Sequence, residues 1–346
     1  MEEEPNTLGV LEMALAAKAR GGTVIAQVKY VASAGSLDPR LVRVPGPLVD
    51  YVVQHRQQTQ LGRTMQSPDA SWDPRLVGAL KDPVLDFEPV TDTASRALLR
   101  RAALELKCGD VVALGAGTPT NLPRIFHEEG CDDLVIFTNE HGIFGGLMAT
   151  AVGGSFVPAI NPHAIMDSAF QFNFYEGGGL DVAMLGAGEI DRHGNVNVSK
   201  FGPIWTALGG FASITLSTPT IVFCGTFRSG GLEVGTDGNG LRVLKEGRRT
   251  RFVPEVQQLT FNARRAVTQG QVVRYVTERC VLEAREDGLE LVEVAPGIDV
   301  EKDVLSQLPF ELAVADDLTI TDSGVFASAP MDLAAILWKQ PSEAGK

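Results

Sequence analysis

Glu140 and His141 stand side by side in the run Thr138-Asn139-Glu140-His141-Gly142-Ile143-Phe144-Gly145-Gly146. The run follows DLVIF (133–137), a strand by its composition, so Glu140 falls at a strand's carboxyl end, where open α/β sheets bind their ligands. A carboxylate there can act as covalent nucleophile, general base or metal ligand, and the flanking glycines are expected to leave its backbone flexible. An ordinary solvated glutamate fits the same residues. His141 invites acid/base or metal chemistry. None of His55, His127, His141, His163 and His193 stands in an H-x-x-H or H-x-x-x-H spacing, so no metal is expected.

A second candidate is the turn Gly115-Ala116-Gly117-Thr118-Pro119 after DVVAL (110–114). Thr120 stands where a dinucleotide fingerprint needs its third glycine, so a nicotinamide site is not expected. Backbone N–H groups in such a turn can hold an anion at a helix start, and a plain tight βα turn explains the residues equally well. No G-x-S-x-G elbow occurs, and Gly153-Gly154-Ser155-Phe156 lacks its spacing, which leaves a serine hydrolase without support. Cys108, Cys131, Cys224 and Cys280 lie far apart with no C-x-x-C pair, which speaks against a zinc ribbon or disulfide scaffold and points to the reducing cytoplasm.

The elements that must position these residues follow from periodicity. Leu8, Leu11 and Leu15 share a helical stripe that ends at Gly21-Gly22, and TVIAQVKYV (23–31) then reads as a buried strand. Such an αβ unit, residues 1–53, is too small to close a core alone. From Gln54 to about residue 90 the composition turns to Gln, Arg, Asp and Pro, as in a connector or surface excursion. Thr91-Asp92-Thr93 then offers N-caps for a helix with Leu99, Ala102, Ala103 and Leu106 on one face. Further strands are expected over 182–185, 220–224, 271–276 and 289–294, and a helix over 332–339. The expected fold is α/β: an open, mostly parallel sheet with flanking helices over residues 91–346, preceded by a partial αβ unit.

The composition sets limits. At 346 residues, with 44% hydrophobic and 21% charged residues, the chain is an ordinary globular sequence of about two domains. A formal net charge of −13 repels phosphate backbones and anionic lipid, so neither nucleic acid nor a membrane surface is an expected partner. The start Met1-Glu2-Glu3-Glu4-Pro5 and the lack of an 18-residue apolar run in the sequence lead to the expectation of neither a secretory signal nor a membrane span.

The order of motifs is more specific than any one of them. GGTVIAQVKYV, GSLDPRLVRVPGPLVDYVV, NEHGIFGG, FNFYEGGGLDVAMLGAGEIDRHGNVNVSKFG, ALGGFASIT, YVTERCVLE and VEVAPGID follow one another along most of the chain. In this the chain resembles the family I CoA-transferases, in their propionate/acetate branch. The resemblance implies CoA exchange between a short-chain acyl-CoA and a free carboxylate through a covalent glutamyl-CoA thioester. The family's Glu-x-Gly motif falls on Glu140 and Gly142, making Glu140 the implied nucleophile. The glycine segment before Phe-x-x-Ile falls on Gly209, Gly210 and Phe211, whose backbone N–H groups, Gly210 above all, would face the oxyanion. Gly115, Gly117, Asn139, Gly142, Lys200, Phe211 and Arg228 are the implied contacts to CoA or substrate. Lys245, Arg248, Arg249 and Arg251 are further cations for its phosphates.

The family has Ser-Glu-Asn-Gly or a close variant where this chain has Asn139-Glu140-His141-Gly142. Its single-chain members begin with a whole first domain, of which residues 1–53 match only the closing portion. Coenzyme A is then a substrate and no cofactor is expected. The expected partner is a second copy of the chain or a companion polypeptide supplying the rest of the first domain. A catalytically incomplete CoA-binding subunit, or an acyl-CoA hydrolase on the same site, is the alternative.

Overall fold

The computed structural model describes residues 7–57, 73–84, 88–148 and 158–339. Two compact units form, Met1–Leu85 with Thr138–Asn173, and Asp86–Phe137 with Phe174–Lys346. In the first unit, the helix Val10–Ala19 is closed by Gly21 at φ +70°. Gly22 N donates to Ala17 O and Gly21 N to Lys18 O, the paired bonds of a left-handed glycine cap.

Strands β1 (Ile25–Val28) and β2 (Tyr51–Gln54) then pair in parallel, Ile25 opposite Tyr51 and Val28 opposite Gln54. Asp50 joins strand to helix, accepting from Val24 N at 2.8 Å and from Lys18 Nζ at 2.7 Å. The buried strand expected over 23–31 is corrected to a shorter, uncovered one. No third strand joins the pair among the described residues, and Ile25 and Tyr51 are each 64% exposed.

Residues 58–72 and 85–87 of the expected connector lie outside the described residues. The part between them packs rather than looping free. Leu76 is buried in the turn Pro74–Val77, and Asn161 both accepts from Asp82 N and donates to Asp82 O.

In the second unit, Asp92 caps the helix Thr93–Ala103 by accepting from Ser95 N at 2.8 Å. One buried face was expected, but the helix is buried almost all round. Its arginines are therefore paired: Arg100 with Glu129, and Arg101 with Glu293 and Glu105. Strand β3 (Val111–Leu114) and the helix Leu122–Glu128 follow, then β4 (Ile136–Asn139). The strand expected at 133–137 starts later because Asp132–Leu134 forms a 3-10 turn. The chain passes into the first unit within β4, continuing through β5 (Ile143–Phe144), β6 (Leu147–Met148), β7 (Ala159–Ile160), β8 (Ala164–Ile165) and the helix Ser168–Glu176.

Back in the second unit, β9 (Val182–Leu185) lies beside β3. Small antiparallel pairs follow: β10 (Glu189–Ile190) with β11 (Val196–Asn197), and β12 (Lys200–Phe201) with β13 (Ile204–Trp205). The helix Phe211–Ser217 leads to β14 (Thr220–Cys224). Strand β15 (Arg228–Ser229), the hairpin of β16 (Glu233–Thr236) and β17 (Leu241–Lys245), and β18 (Arg249–Thr250) come next. The chain closes with β19 (Val272–Val276), β20 (Cys280–Arg285), β21 (Gly288–Val294), β22 (Ala313–Ile320) and the helix Leu333–Trp338.

The central sheet of this unit runs β22-β21-β20-β19-β14-β9-β3. Strands β3, β9, β14 and β19 are parallel, with Thr220 opposite both Val182 and Val272; β20 and β21 then run as an antiparallel meander. The expected α/β fold with a mostly parallel sheet is therefore present. Its heart is an aromatic stack on β14, where Phe223 lies 5.3 Å from Tyr275, 5.3 Å from Phe261 and 6.2 Å from Phe211. The parallel strands all point their carboxyl ends the same way, collecting the turns at Gly115, Gly186, Gly225 and Thr277 along one edge of the sheet.

Candidate functional site

Glu140, His141 and Gly142 are the three-residue tip of a tight hairpin, with Thr138 opposite Phe144 and Asn139 opposite Ile143. The tip is held from several sides. Asn139 Oδ1 accepts from His141 N at 3.1 Å, Gly142 N donates to Asn139 O, and Thr138 Oγ1 donates to Ile143 O at 2.7 Å. Gln171, from the helix behind, donates to Thr138 Oγ1 at 2.7 Å. Glu140 thus stands on a fixed backbone with its side chain 30% exposed, half-way between solvent and protein.

The glycines, expected to mark a flexible segment, are closely packed. Gly142 has φ +90°, and a Cβ there would lie 2.0 Å from Met166 O, whose own N–H donates to Gly142 O. A Cβ on Gly145 would strike the His163 ring at 2.2 Å. These glycines serve close approach, not freedom. Gly153-Gly154-Ser155-Phe156 lies outside the described residues.

His141 is buried, which pushes its pKa down to about 4. It is therefore neutral at pH 7, and its Nε2, 3.8 Å from Glu140 Oε1, is too far for a direct hydrogen bond. Among the described residues no group of three His, Cys, Asp or Glu could hold a metal ion. Burial lifts the Cys131, Cys224 and Cys280 thiols to about 12, so none of the three is a thiolate at neutral pH.

The remaining residues expected at the site belong to the second unit. Gly115 N donates to Met184 O, and a Cβ on Gly115 would lie 2.9 Å from the Leu185 side chain. Gly115 therefore lets the β3 and β9 turns approach. Gly117, at φ +98°, caps the 3-10 turn Thr118–Asn121. Gly209 is exposed at φ +53°, and buried Gly210 precedes the helix Phe211–Ser217. The Phe211 ring is buried in the aromatic stack, its N–H donates to Leu208 O, and its carbonyl accepts from Thr215 Oγ1 at 2.9 Å.

Lys200 holds its ammonium 4.6 Å above the exposed Trp205 ring across the β12–β13 hairpin. Arg228 Nε donates to Gly247 O at 2.8 Å, and Glu246 lies 3.9 Å away. Of the other cations, Lys245 pairs with Glu233 and Arg248 Nε donates to Gly230 O. Sequence reading did not single out Gln171 and Met166 as braces of the hairpin. A glutamine between phenylalanines in FQFNFYE was the available signal for the first; a backbone contact such as that of Met166 leaves none.

No family model matches the chain. It is 40% identical over 334 residues to the caffeate CoA-transferase of Acetobacterium woodii, covering 95% of this chain and 63% of that protein. To the acetate CoA-transferase YdiF of Escherichia coli (strain K12) it is 38% identical over 331 residues, covering 95% of this chain and 61% of that protein. The fold matches the crystal structure of the acyl-CoA transferase YdiF apoenzyme from E. coli O157:H7 with a TM-score of 0.86 at 36% identity, over 96% of this chain and 61% of that one. A YdiF thioester complex with CoA matches at 0.85. The chain thus spans about three fifths of the length of these relatives.

Proposed function

We propose that the chain is a family I CoA-transferase over the part of its relatives' length that it spans, and that it moves CoA between a short-chain acyl-CoA and a free carboxylate, with Glu140 as nucleophile. The observation that carries the reading is the braced hairpin, which presents one partly exposed carboxylate on a fixed backbone beside a neutral His141. The YdiF complex, a thioester with CoA, supports the same chemistry in a relative.

Glu140 Oε attacks the acyl thioester carbonyl, the C–S bond breaks, and CoA leaves as the thiolate with the electron pair, giving a mixed anhydride. The thiolate attacks the glutamyl carbonyl, releases the first carboxylate and leaves glutamyl-CoA. The acceptor carboxylate then runs the same steps in reverse. Every addition creates an oxyanion, and the backbone N–H of Gly210 is our candidate donor to it. Gly115, Gly117, Asn139, Gly142, Lys200, Phe211 and Arg228 are the proposed contacts to CoA and substrate. Acetyl and propionyl groups and a reducing, cytoplasmic setting fit this reading.

A second reading is favoured by one observation. The β1–β2 pair leaves Ile25, Tyr51, Val52 and Val53 exposed, as expected where a companion polypeptide, or a second copy of the chain, completes the structure. The test for both readings is propionyl-CoA mixed with labelled acetate. Labelled acetyl-CoA should form, and Glu140→Ala should lower its rate by at least about a thousandfold, as loss of a covalent nucleophile does. Transfer that survives Glu140→Ala refutes the assignment. CoA release without acetate identifies a hydrolase. Transfer that appears only with a polypeptide matching the remaining two fifths of the relatives' length identifies a subunit.

A further inference from the structure

We propose that Gln171 is a positioning residue for Glu140, acting through the Thr138 hydroxyl, a role that rests on the transferase reading above. One short segment grips the hairpin on both sides of its tip. Met166 N donates to Gly142 O at 2.8 Å, two residues beyond Glu140, and Gln171 Nε2 donates to Thr138 Oγ1 at 2.7 Å, two residues before it. The segment is itself anchored by Asp167. Its carboxylate accepts from Ala169 N at 3.1 Å and from Thr7 Oγ1 at 2.5 Å, and its carbonyl accepts from Gln171 N at 3.0 Å. All of these residues belong to the first unit.

The relay runs in one direction only. Ile143 O can only accept, so the single Thr138 hydroxyl proton, on an oxygen 2.7 Å away, goes to it. The lone pairs of Thr138 Oγ1 are then left to accept, and Gln171 must turn its NH2 group toward them rather than its carbonyl. Asn139 pairs with Ile143 across the hairpin, so the Thr138–Ile143 bond ties the two strands together at the base of the tip that carries Glu140.

The relay carries a cost to stability. Thr138 and Gln171 are both fully buried, and Gln171 Oε1 has no hydrogen-bond partner among the described residues. A buried unpaired carbonyl is destabilising, and a methionine of the same length would fill the space without one. What the amide adds beyond packing is its donor to Thr138. Covalent attack depends on the placement of the attacking oxygen, and small displacements of it are expensive in rate.

The experiment measures kcat and KM for transfer from propionyl-CoA to labelled acetate, together with guanidinium denaturation, in wild type, Gln171→Met, Thr138→Ser, Thr138→Val and the Gln171→Met/Thr138→Val double variant. The chain is used alone or with the polypeptide that completes it, whichever transfers. Gln171→Met should lower kcat by about tenfold or more, leave the KM for propionyl-CoA within about twofold, and unfold at the wild-type guanidinium concentration or above. Thr138→Ser keeps the hydroxyl and should hold kcat within about threefold, while Thr138→Val should lose about as much as Gln171→Met and the double variant no more than the larger single loss. An unchanged kcat in Gln171→Met means a packing role and overturns the proposal. A raised KM with kcat retained means a substrate contact and overturns it as well, as do additive losses in the double variant. If Gln171→Met does not fold, Thr138→Ser against Thr138→Val decides, and equal kcat in the two refutes the relay. Failure of the transferase reading shows separately, as labelled acetyl-CoA formation that survives Glu140→Ala or is absent from wild type in either form.

Discussion

Two stretches of this chain carry the same kind of sequence and meet opposite fates. The β-branched run TVIAQVKYV makes β1 of the first unit, whose residues alternate between exposed and half-buried and whose only partner among the described residues is β2. The run DVVAL makes β3 of the second unit, with Val112 and Ala113 fully buried against β9. Strand propensity is equal in the two; burial is set by what lies on either side. A parallel strand reaches the interior only where helices and neighbours cover it, and the first unit supplies these to neither β1 nor β2 among the described residues.

The largest effect that would break this contrast lies in the aromatic stack. Phe223→Ala should cost about 3–5 kcal/mol of unfolding free energy, since the ring is 2% exposed and touches three other rings. Val52→Ala in β2, where Val52 is 56% exposed, should cost under about 0.5 kcal/mol. Guanidinium denaturation of both variants decides it. Similar losses would mean that the first unit has a core around β2 after all.

A middle-sized effect concerns titration. His141 is buried with its pKa lowered to about 4, so the unfolded chain takes up a proton between roughly pH 6.5 and 4 while the folded chain does not. Stability from this group is complete above pH 6.5 and is lost as the pH falls. Its share between pH 7.5 and pH 5 is about 2 kcal/mol. His141→Asn should remove that share of the pH dependence, read from denaturation curves at the two pH values. An identical slope in the variant would place the titration elsewhere.

A smaller effect sharpens the second unit's boundary. Asp92→Ala removes the cap on Ser95 N and should cost about 1 kcal/mol, measured the same way.

The second unit was legible in the sequence because each of its central strands is long enough, apolar enough and punctuated by turn residues. Strands at 182–185 and 220–224 fall where periodicity puts them. Strand β22 was missed because Asp316 and Asp317 interrupt its pattern, and its exposed edge position tolerates them. At the site, motif order pointed to Glu140, but the glycines around it were misread. Glycine in a sequence signals permissive φ or close approach, and only the Met166 and His163 contacts tell which. Gln171 was one polar residue among the phenylalanines of FQFNFYE. Its hydrogen bond is to Thr138, 33 residues away, a long-range fact that no local pattern carries.

The claim that Glu140 is a covalent nucleophile is tested most directly by intact-mass and peptide mass spectrometry after incubation with acetyl-CoA. The expected result is a CoA-sized adduct mapping to the peptide with Glu140, present in wild type and absent in Glu140→Ala. An adduct on another residue, or one that persists in Glu140→Ala, would contradict it.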